Sequence, residues 1–250
     1  MISIDNLSVS IGTKEILKGF NASIPEGITC VIGLNGSGKT TLLRTIEGIV
    51  KAKEGTIKFN DESVFDLDRI KRAKTMSYLP QSRTTPSIDG GLLIEHARFP
   101  YLGFQRKLDD ESIKAINKAV DETNTKELLD KKLNTMSGGE KQRIYFASLL
   151  AQESSILLLD EPTESLDLPY QIEILNIVKN MKDKTVIMVL HDLLQAFSFG
   201  DNILVVNEGK NVLFGKPLDI YNNEIIEEVF GHSLKLEDDL NSIYKFKILK

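Results

Sequence analysis

The sequence predicts an α/β fold in which helices cover a mostly parallel sheet. The first observation is alternation, since apolar runs such as 156–159 and 186–190 are typical of buried strands and each precedes a stretch with helical spacing. The second is that the first 34 residues show only strand patterns, which predicts an antiparallel β region at the N-terminus. The third is that strand patterns vanish over about 82–155, where apolar residues recur at helical spacing. We therefore expect a helical lobe inserted into an α/β core.

Composition and charge exclude several classes of protein. With 250 residues, of which 41% are apolar, the chain can bury a substantial core as one large domain. The 31 Lys and Arg residues against 36 Asp and Glu residues give a net charge of −5, which argues against a nucleic-acid partner. The single cysteine, Cys30, excludes a disulfide framework and a cysteine-based zinc site, and we expect it in the core. We find no secretory signal and no apolar run of membrane-spanning length, so we expect a soluble protein of a reducing compartment.

The N-terminal part begins with strands and reaches its first helix near Gly38. That helix should place Leu42, Leu43, Ile46 and Ile49 on one apolar face. The strand patterns lie at 2–9, 16–17, 28–32, 56–59 and 76–79.

From residue 138 onwards helices and strands alternate. We expect helices over about 138–152, after Leu168 and after His191. Residues after Gly231 are polar and show no clear period. The strands should lie at 156–159, 186–190 and 203–206. The whole chain, 1–250, is expected to form a single domain with its core at 1–81 and 156–230, its lobe at 82–155 and a short appendage at 231–250.

The most informative loop follows the strand predicted at 28–32. Residues 33–40 fit the pattern G-x-x-x-x-G-K-[ST], and a helix is predicted directly after them. The glycines let backbone amides close around phosphate oxygens, Lys39 supplies a positive charge, and the Thr40 hydroxyl can bind Mg²⁺. A plain glycine turn is the alternative, but it does not require Lys and Thr at these offsets. The candidate nucleotide-binding residues are Gly33, Asn35, Gly36, Ser37, Gly38, Lys39, Thr40 and Thr41.

Two carboxylates end the strand predicted at 156–159. At the carboxyl edge of a buried strand, Asp160 can hold Mg²⁺ while Glu161 polarises a water molecule. The alternative is a solvated strand end, which the phosphate loop elsewhere in the chain disfavours.

Residues 137–143 predict a second helix start suited to phosphate. Ser137 is a good N-cap, and Gly138 and Gly139 leave room for a phosphate near the helix N-terminus. An ordinary capped helix is the alternative. Because the chain already has one phosphate loop, a second site of this kind indicates that the nucleotide of another subunit binds here.

Taken together, the motifs resemble those of the ATP-binding cassette (ABC) ATPases, and the resemblance covers roughly residues 1–230. It implies a P-loop NTPase core. The motifs occur in the family's order and are the phosphate loop 33–40, Gln81 within Tyr78-Leu79-Pro80-Gln81, the signature 137–142, Asp160-Glu161, Ser165-Leu166-Asp167 and His191-Asp192.

The resemblance implies an ATPase that works as a head-to-tail homodimer with two ATP molecules between the subunits. Lys39 and Thr40 would hold one nucleotide and its Mg²⁺ from one side. The signature residues Ser137, Gly138 and Gly139 of the other copy would cover the γ-phosphate. Asp167 would bridge the two subunits.

The resemblance also implies catalytic roles for four residues. Glu161 would be the general base. Gln81 and Asp160 would complete the Mg²⁺ site, and Gln81 would also contact the attacking water. His191 would contact the γ-phosphate.

Four stretches narrow the resemblance to the importer ATPases for iron–siderophore, haem and cobalamin. In that group two copies lie beneath a membrane permease at the cytoplasmic face of the membrane, and a substrate-binding protein delivers the metal chelate. The apolar patch at 99–102 would then suit the permease, and its alternative is simple packing within the lobe. The stretches are 96–103, 149–153, 191–196 and 219–231.

The sequence departs from the family pattern in two places. Ile11 stands where an aromatic residue usually stacks on adenine, so it either covers the base as an aliphatic side chain or points into the core. Gly90 and Gly91 stand where we expect a more apolar helix entry. The rival functions are a soluble ABC ATPase of iron–sulfur cluster assembly and the ATPase of a transporter for another cargo. The segment 99–103 favours the importer.

Overall fold

The computed structural model describes residues 1–102, 107–164, 166–181, 183–221, 224–231, 234–237 and 245–248, the last two ranges by their backbone alone. The motif residues Gly103 and Ser165 lie outside these ranges. The chain divides into two compact units, of which the first is Met1–Asp66 with Thr185–Lys250 and the second is Leu67–Lys184. The division into a core and a lobe at 82–155 stays a prediction.

Helices and strands alternate along most of the chain, as the sequence pattern predicts. In chain order they are β1 (Ile2–Ile11), β2 (Lys14–Ile24), β3 (Gly27–Ile32), α1 (Lys39–Ile46), β4 (Glu54–Phe59), β5 (Glu62–Ser63), α2 (Arg69–Thr75), β6 (Met76–Leu79), α3 (Gly90–His96), α4 (Asp110–Glu122), α5 (Gly138–Ala151), β7 (Ile156–Asp160), α6 (Leu168–Lys179), β8 (Thr185–Val189), α7 (Leu193–Phe199), β9 (Asn202–Asn207), β10 (Lys210–Gly215), α8 (Pro217–Tyr221), α9 (Glu224–Phe230), β11 (Leu234–Glu237) and β12 (Lys245–Ile248).

The first unit begins with an antiparallel sheet of strand order β2-β1-β4-β5. Ile2, Ile4, Leu7 and Val9 of β1 are all buried, so this strand supplies part of the core. The sheet confirms the predicted antiparallel β region at the N-terminus.

A second group of strands in this unit positions the phosphate loop. β3 pairs in parallel with β8 and with β9, and β10 pairs antiparallel to β9. Val31 of β3 lies opposite Val189 on one side and Leu204 on the other. Because parallel strands end at the same edge, the residues that follow β3 and β8 emerge from the sheet side by side. Cys30 of β3 is completely buried, as expected.

The second unit pairs β6 with β7 in parallel and packs helices around an apolar cluster of its own. Leu79 lies opposite Leu159, so the residues after β6 and β7 leave these strands at the same edge. The cluster joins α3, α4 and α5 through side chains such as Ile94, Val120 and Ile144.

The buried Arg98 side chain connects α4 with the end of α5. Its side chain is almost completely buried, and Nη1 donates to the carbonyl of Ala151 at 2.8 Å and pairs with the Glu153 carboxylate at 2.9 Å. Its Nε donates to Ser112 Oγ at 3.2 Å, and the guanidinium lies 3.9 Å from the ring centroid of Tyr101. Removing the Arg98 side chain would leave several of these acceptors without a donor, which is destabilising.

The first helix is shorter than predicted, and the prediction for Ile49 is wrong. α1 ends at Ile46, and Gly48 adopts a φ of 81°, which terminates the helix. Ile49 is consequently 60% exposed instead of lying on the apolar face.

Gly90 explains why α3 begins with glycine where a more apolar entry was expected. A Cβ at this position would lie 2.7 Å from the carbonyl oxygen of Leu128, which is too close for any other residue.

The sequence pattern also missed α2, β10 and the β11–β12 hairpin, which lies in the predicted C-terminal appendage. Among the residues that the structure describes, no helix has the length and apolar character needed to cross a membrane.

Candidate functional site

The phosphate loop is a tight turn closed by a lysine. Gly33 adopts a φ of 151°, and a Cβ there would lie 2.1 Å from the carbonyl oxygen of Val206. Lys39 is only 5% exposed, and its Nζ donates to the carbonyl oxygens of Gly33 at 2.8 Å and Leu34 at 3.0 Å. The ammonium is therefore held inside the loop, where it can neutralise phosphate charge.

The N-terminus of α1 opens towards the same loop. No side chain caps this helix, whose N-cap is Gly38 with a φ of 110°. Ser37 is buried, and its hydroxyl oxygen has no hydrogen-bond partner in the described part of the chain. Gly36 would have no atom within 4 Å of a Cβ, so this side of the loop is open. An anion accepting from the helix N-terminus and from Ser37 fits this arrangement.

The remaining loop residues line this turn, and the candidates His191 and Ile11 lie in the same unit. Asn35 is exposed, while Thr40 and Thr41 are partly buried in the first turn of α1. His191 is exposed and follows β8, and the amide of the preceding Leu190 donates to the carbonyl of Val31 at 3.2 Å. This bond places His191 directly beside the end of β3.

Ile11 is the last residue of β1 and pairs across the hairpin with Lys14. Its side chain is 55% exposed, so the alternative that it points into the core is wrong.

The second unit gathers a carboxylate cluster at the ends of β6 and β7. Gln81 Nε2 donates to Glu161 Oε2 at 2.6 Å and to Glu164 Oε2 at 2.8 Å. Asp160 is completely buried, and its Oδ2 accepts a hydrogen bond from the Tyr78 hydroxyl at 3.1 Å. The structure thus brings the predicted pair Gln81 and Glu161 into direct contact.

Glu161 itself has an unusual backbone conformation. Its φ is 54°, in the left-handed region that few glutamates adopt, and the residue is 9% exposed. Conformations of this kind cost about 1–3 kcal/mol and tend to occur at functional sites, where the surrounding structure maintains them.

The cluster's donor chemistry fits a hard cation. The Asp160 carboxylate is an oxygen ligand, and Gln81 makes both contacts described above through Nε2, so its Oε1 takes part in neither. Oxygen ligands of this kind suit Mg²⁺.

The signature segment forms the capped helix start that the sequence predicts. Ser137 Oγ accepts from the Glu140 amide at 3.2 Å, and the Glu140 carboxylate accepts from the Ser137 amide at 2.8 Å. The Ser137 amide and Lys131, 3.0 Å from Glu140 Oε1, hold the pKa of Glu140 below its ordinary value. Ser137 and Gly138 are exposed at the tip of α5.

One aromatic ring covers the other signature glycine. A Cβ on Gly139 would lie 3.4 Å from Tyr170, and the Arg143 guanidinium is 5.6 Å from the centroid of the same ring. Asp167 is exposed at the N-cap of α6, and the Gln171 side chain donates to the carbonyl of the preceding Leu166 at 2.8 Å. The turn that carries Asp167 is thereby fixed from within α6.

Sequence reasoning missed Glu164, Tyr78 and Gln142. Glu164 lies three residues after Glu161 and shares the same Gln81 donor. Tyr78 lies in the same motif as Gln81, Tyr78-Leu79-Pro80-Gln81, so the motif could have indicated that Tyr78 belongs to the site. Gln142 donates to the carbonyl of Pro162 at 2.5 Å, a contact that no sequence pattern indicates.

Comparisons with known proteins agree with this geometry. Residues 17–164 match the family described as ABC transporter. The chain is 35% identical to the iron(3+)-hydroxamate import ATP-binding protein FhuC of Bacillus subtilis, over 95% of this chain and 90% of that protein. It is 34% identical to the ferric enterobactin transport ATP-binding protein FepC of Escherichia coli, over 94% of this chain and 89% of that protein.

The fold also matches solved structures. A dimeric structure of the bacterial ABC transporter cassette MJ0796 has a TM-score of 0.77 and 27% identity, covering 87% of this chain and 99% of that chain. The same cassette bound to ADP and Pi after hydrolysis gives a TM-score of 0.74 at 25% identity.

The fold, the phosphate loop and the capped signature helix define an ATP-binding cassette. The chain belongs to the ABC transporter family, as the match over residues 17–164 and the relatives at 34–35% identity show. It binds ATP and is an ATPase.

Proposed function

We propose that this chain is the ATP-hydrolysing subunit that powers import of a metal chelate, of the iron–siderophore, haem or cobalamin class, through a membrane permease. The observation that carries the proposal is the likeness to FhuC and FepC, whose names specify iron(3+)-hydroxamate import and ferric enterobactin transport. That likeness extends over 94–95% of this chain, well beyond the motifs that every ATP-binding cassette needs.

In this proposal the ATP phosphates bind in the loop from Gly33 to Thr41. The buried Lys39 ammonium, the open N-terminus of α1 and the unpartnered Ser37 hydroxyl support this placement. Ile11, exposed at the end of β1, covers the adenine. Thr40, Gln81 and Asp160 hold Mg²⁺, which neutralises phosphate charge when bound.

Glu161 acts as the general base. Its contact with Gln81 supports this role because a hydrogen bond donated to Oε2 holds the carboxylate in a fixed orientation. Gln81 also orients the attacking water, and His191 contacts the γ-phosphate.

The working form is a head-to-tail homodimer with two ATP molecules between the copies. Ser137, Gly138 and Gly139 of one copy cover the nucleotide of the other, and Asp167 bridges the subunits. The exposed capped helix start supports the proposal, as does the dimeric form of MJ0796.

The partners are integral permease subunits, with a substrate-binding protein in the complete system. The chain then lies peripherally at the cytoplasmic face of the membrane. The core at 1–81 and 156–230 carries the nucleotide, while the lobe at 82–155 contacts the permease.

Uptake in cells tests the proposal. Cells that lack this chain should not accumulate radioactive iron supplied as a hydroxamate, an enterobactin-type or a haem complex, and radioactive cobalamin should be tested alongside. The wild-type chain should restore uptake of one of them, and Lys39→Ala should not. Normal uptake of all four without the chain would contradict the proposal. If uptake is normal in these cells but the activity of their iron–sulfur enzymes is lost, the iron–sulfur assembly function is favoured instead.

A further inference from the structure

The loop that follows β7 holds its backbone in a costly conformation. Glu161 has a φ of 54° and is followed by Pro162, whose ring further restricts the backbone of the residue before it. Both residues are buried. A backbone of this kind persists only where surrounding contacts maintain it. The contacts on this backbone therefore decide where the Glu161 carboxylate lies.

Two contacts at Glu161 come from the carboxylate cluster itself. Gln81 donates to the carboxylate, and the amide of Glu164 donates to the carbonyl of Glu161 at 3.2 Å. The first contact acts on the side chain, and the second lies within the loop. Neither of these two bonds joins the backbone of the loop to a neighbouring helix.

A third contact joins the loop to α5. Gln142 Nε2 donates to the carbonyl of Pro162 at 2.5 Å, and this bond is partly buried. The carbonyl belongs to the residue directly after Glu161, so the bond acts on the backbone that aims the carboxylate. Gln142 lies one turn after Gly139 in α5. The helix that begins with the signature therefore also holds the loop of the proposed general base.

Arg83 determines which end of the Gln142 side chain faces the loop. Its Nη2 donates to Gln142 Oε1 at 2.8 Å. A guanidinium can only donate and a backbone carbonyl can only accept, so the amide oxygen must face Arg83 and the amide nitrogen must face Pro162. Burial lowers the pKa of Arg83 to about 10, which leaves the guanidinium charged at neutral pH. This position requires a donor and an acceptor on one side chain, and Gln supplies both.

We propose that Gln142 is a positioning residue for ATP hydrolysis, whose bond to the Pro162 carbonyl holds the strained backbone at Glu161 and so aims the general base. The inference rests on the proposed function, since it explains how the base assigned there is kept in place. Gln142 acts through Glu161 and contacts neither the nucleotide nor the attacking water. Such a role has a large effect on rate, because a displacement of about 1 Å can cost about 100-fold.

The first experiment replaces Gln142 and separates turnover from binding. Gln142→Glu keeps an acceptor for Arg83 and loses only the donor to Pro162, whereas Gln142→Met loses both and adds no charge. We expect both variants to release phosphate about 10- to 100-fold more slowly at saturating ATP and Mg²⁺. The Kd for a fluorescent ATP analogue should stay within about twofold of wild type, because the phosphate loop belongs to the first unit.

Gln152 provides the matched control at the other end of α5. It is the C-cap of this helix, and its Nε2 donates to the carbonyls of Ala73 at 2.5 Å and Met76 at 3.1 Å. It lies about 15 Å along the helix from Gln142, at 1.5 Å per residue. Gln152→Glu and Gln152→Met should lower the melting temperature as the Gln142 variants do, but keep turnover within about threefold of wild type. Equal losses of turnover at the two positions would overturn the inference.

The second experiment tests whether Gln142 acts through Glu161. The residual phosphate release of Glu161→Gln is compared with that of the double variant Glu161→Gln/Gln142→Met. Once the base is lost, a positioning residue has nothing left to aim, so we expect the second substitution to slow the residual rate less than about twofold. A further loss as large as the one that Gln142→Met causes alone would overturn the inference.

The outcomes separate this inference from the proposed function. If Glu161→Gln is inactive while both Gln142 variants turn over within about threefold of wild type, the inference fails and the general base stands. If Glu161→Gln keeps its activity, the assignment of the general base fails, and the inference fails with it.

Discussion

The substitution Glu161→Gln tests the assignment of the general base. Gln has nearly the same shape, its carboxamide oxygen can still accept from Gln81, and Glu164 remains as the second acceptor of the same amide. The fold should therefore be unchanged while the basic carboxylate is lost. Loss of a general base slows turnover about 10²- to 10⁴-fold, equivalent to about 2.7–5.5 kcal/mol in activation free energy.

Glu164→Gln is the matched control, because it removes the same charge from the other acceptor of Gln81. Glu164 is exposed and follows Glu161 by one turn, so we expect turnover to change by less than about threefold, as for a solvated charge. The assay is phosphate release at saturating ATP and Mg²⁺, together with ATP binding measured by a fluorescent nucleotide. If Glu164→Gln loses as much activity as Glu161→Gln, or Glu161→Gln keeps more than about a tenth of it, the assignment is wrong.

Three further substitutions address the dimer, the adenine contact and the fold. Ser137→Arg should abolish hydrolysis but leave ATP binding by the isolated chain intact; a loss as large as that of Lys39→Ala would place Ser137 at the chain's own nucleotide. Ile11→Tyr should tighten ATP binding about 2- to 12-fold through ring stacking, without lowering the melting temperature, because Ile11 is 55% exposed; unchanged affinity in a nucleotide titration would remove it from the site. In urea unfolding, Arg98→Leu should destabilise the chain by about 1–3 kcal/mol, because the buried carbonyl of Ala151 loses its donor. Glu153→Gln should cost less than about 1 kcal/mol, because the Glu153 side chain is 50% exposed; equal losses would contradict this view of Arg98.

Helix starts that are determined by residues adjacent in the sequence could be predicted from the sequence alone. The capping box at Ser137 and the glycine pattern before Lys39 are set within a few residues, so both helix starts follow directly from the sequence. The end of α1 was missed because the apolar spacing continues to Ile49, although Gly48 takes a left-handed conformation that stops the helix. The spacing of apolar residues alone does not show at which residue a helix ends.

Features that depend on distant partners could not be predicted. The β11–β12 hairpin joins residues such as Leu234 and Ile248 across a polar stretch without a clear period. The need for glycine at 90 arises from the carbonyl of Leu128, far along the chain. The Gln81–Glu161 pair was anticipated as two residues of one site, but the sharing of Gln81 with Glu164 needed the register of β6 and β7.

The most direct test of the account is ATP-driven transport by a reconstituted system. Vesicles containing the permease and this chain receive ATP on the side of the chain, and the substrate-binding protein with a radioactive iron–hydroxamate complex on the other. We predict that the wild-type chain moves iron to the ATP side as phosphate is released, and that Glu161→Gln abolishes both while still binding ATP. Phosphate release without movement of the hydroxamate, enterobactin-type, haem or cobalamin complexes would contradict the account.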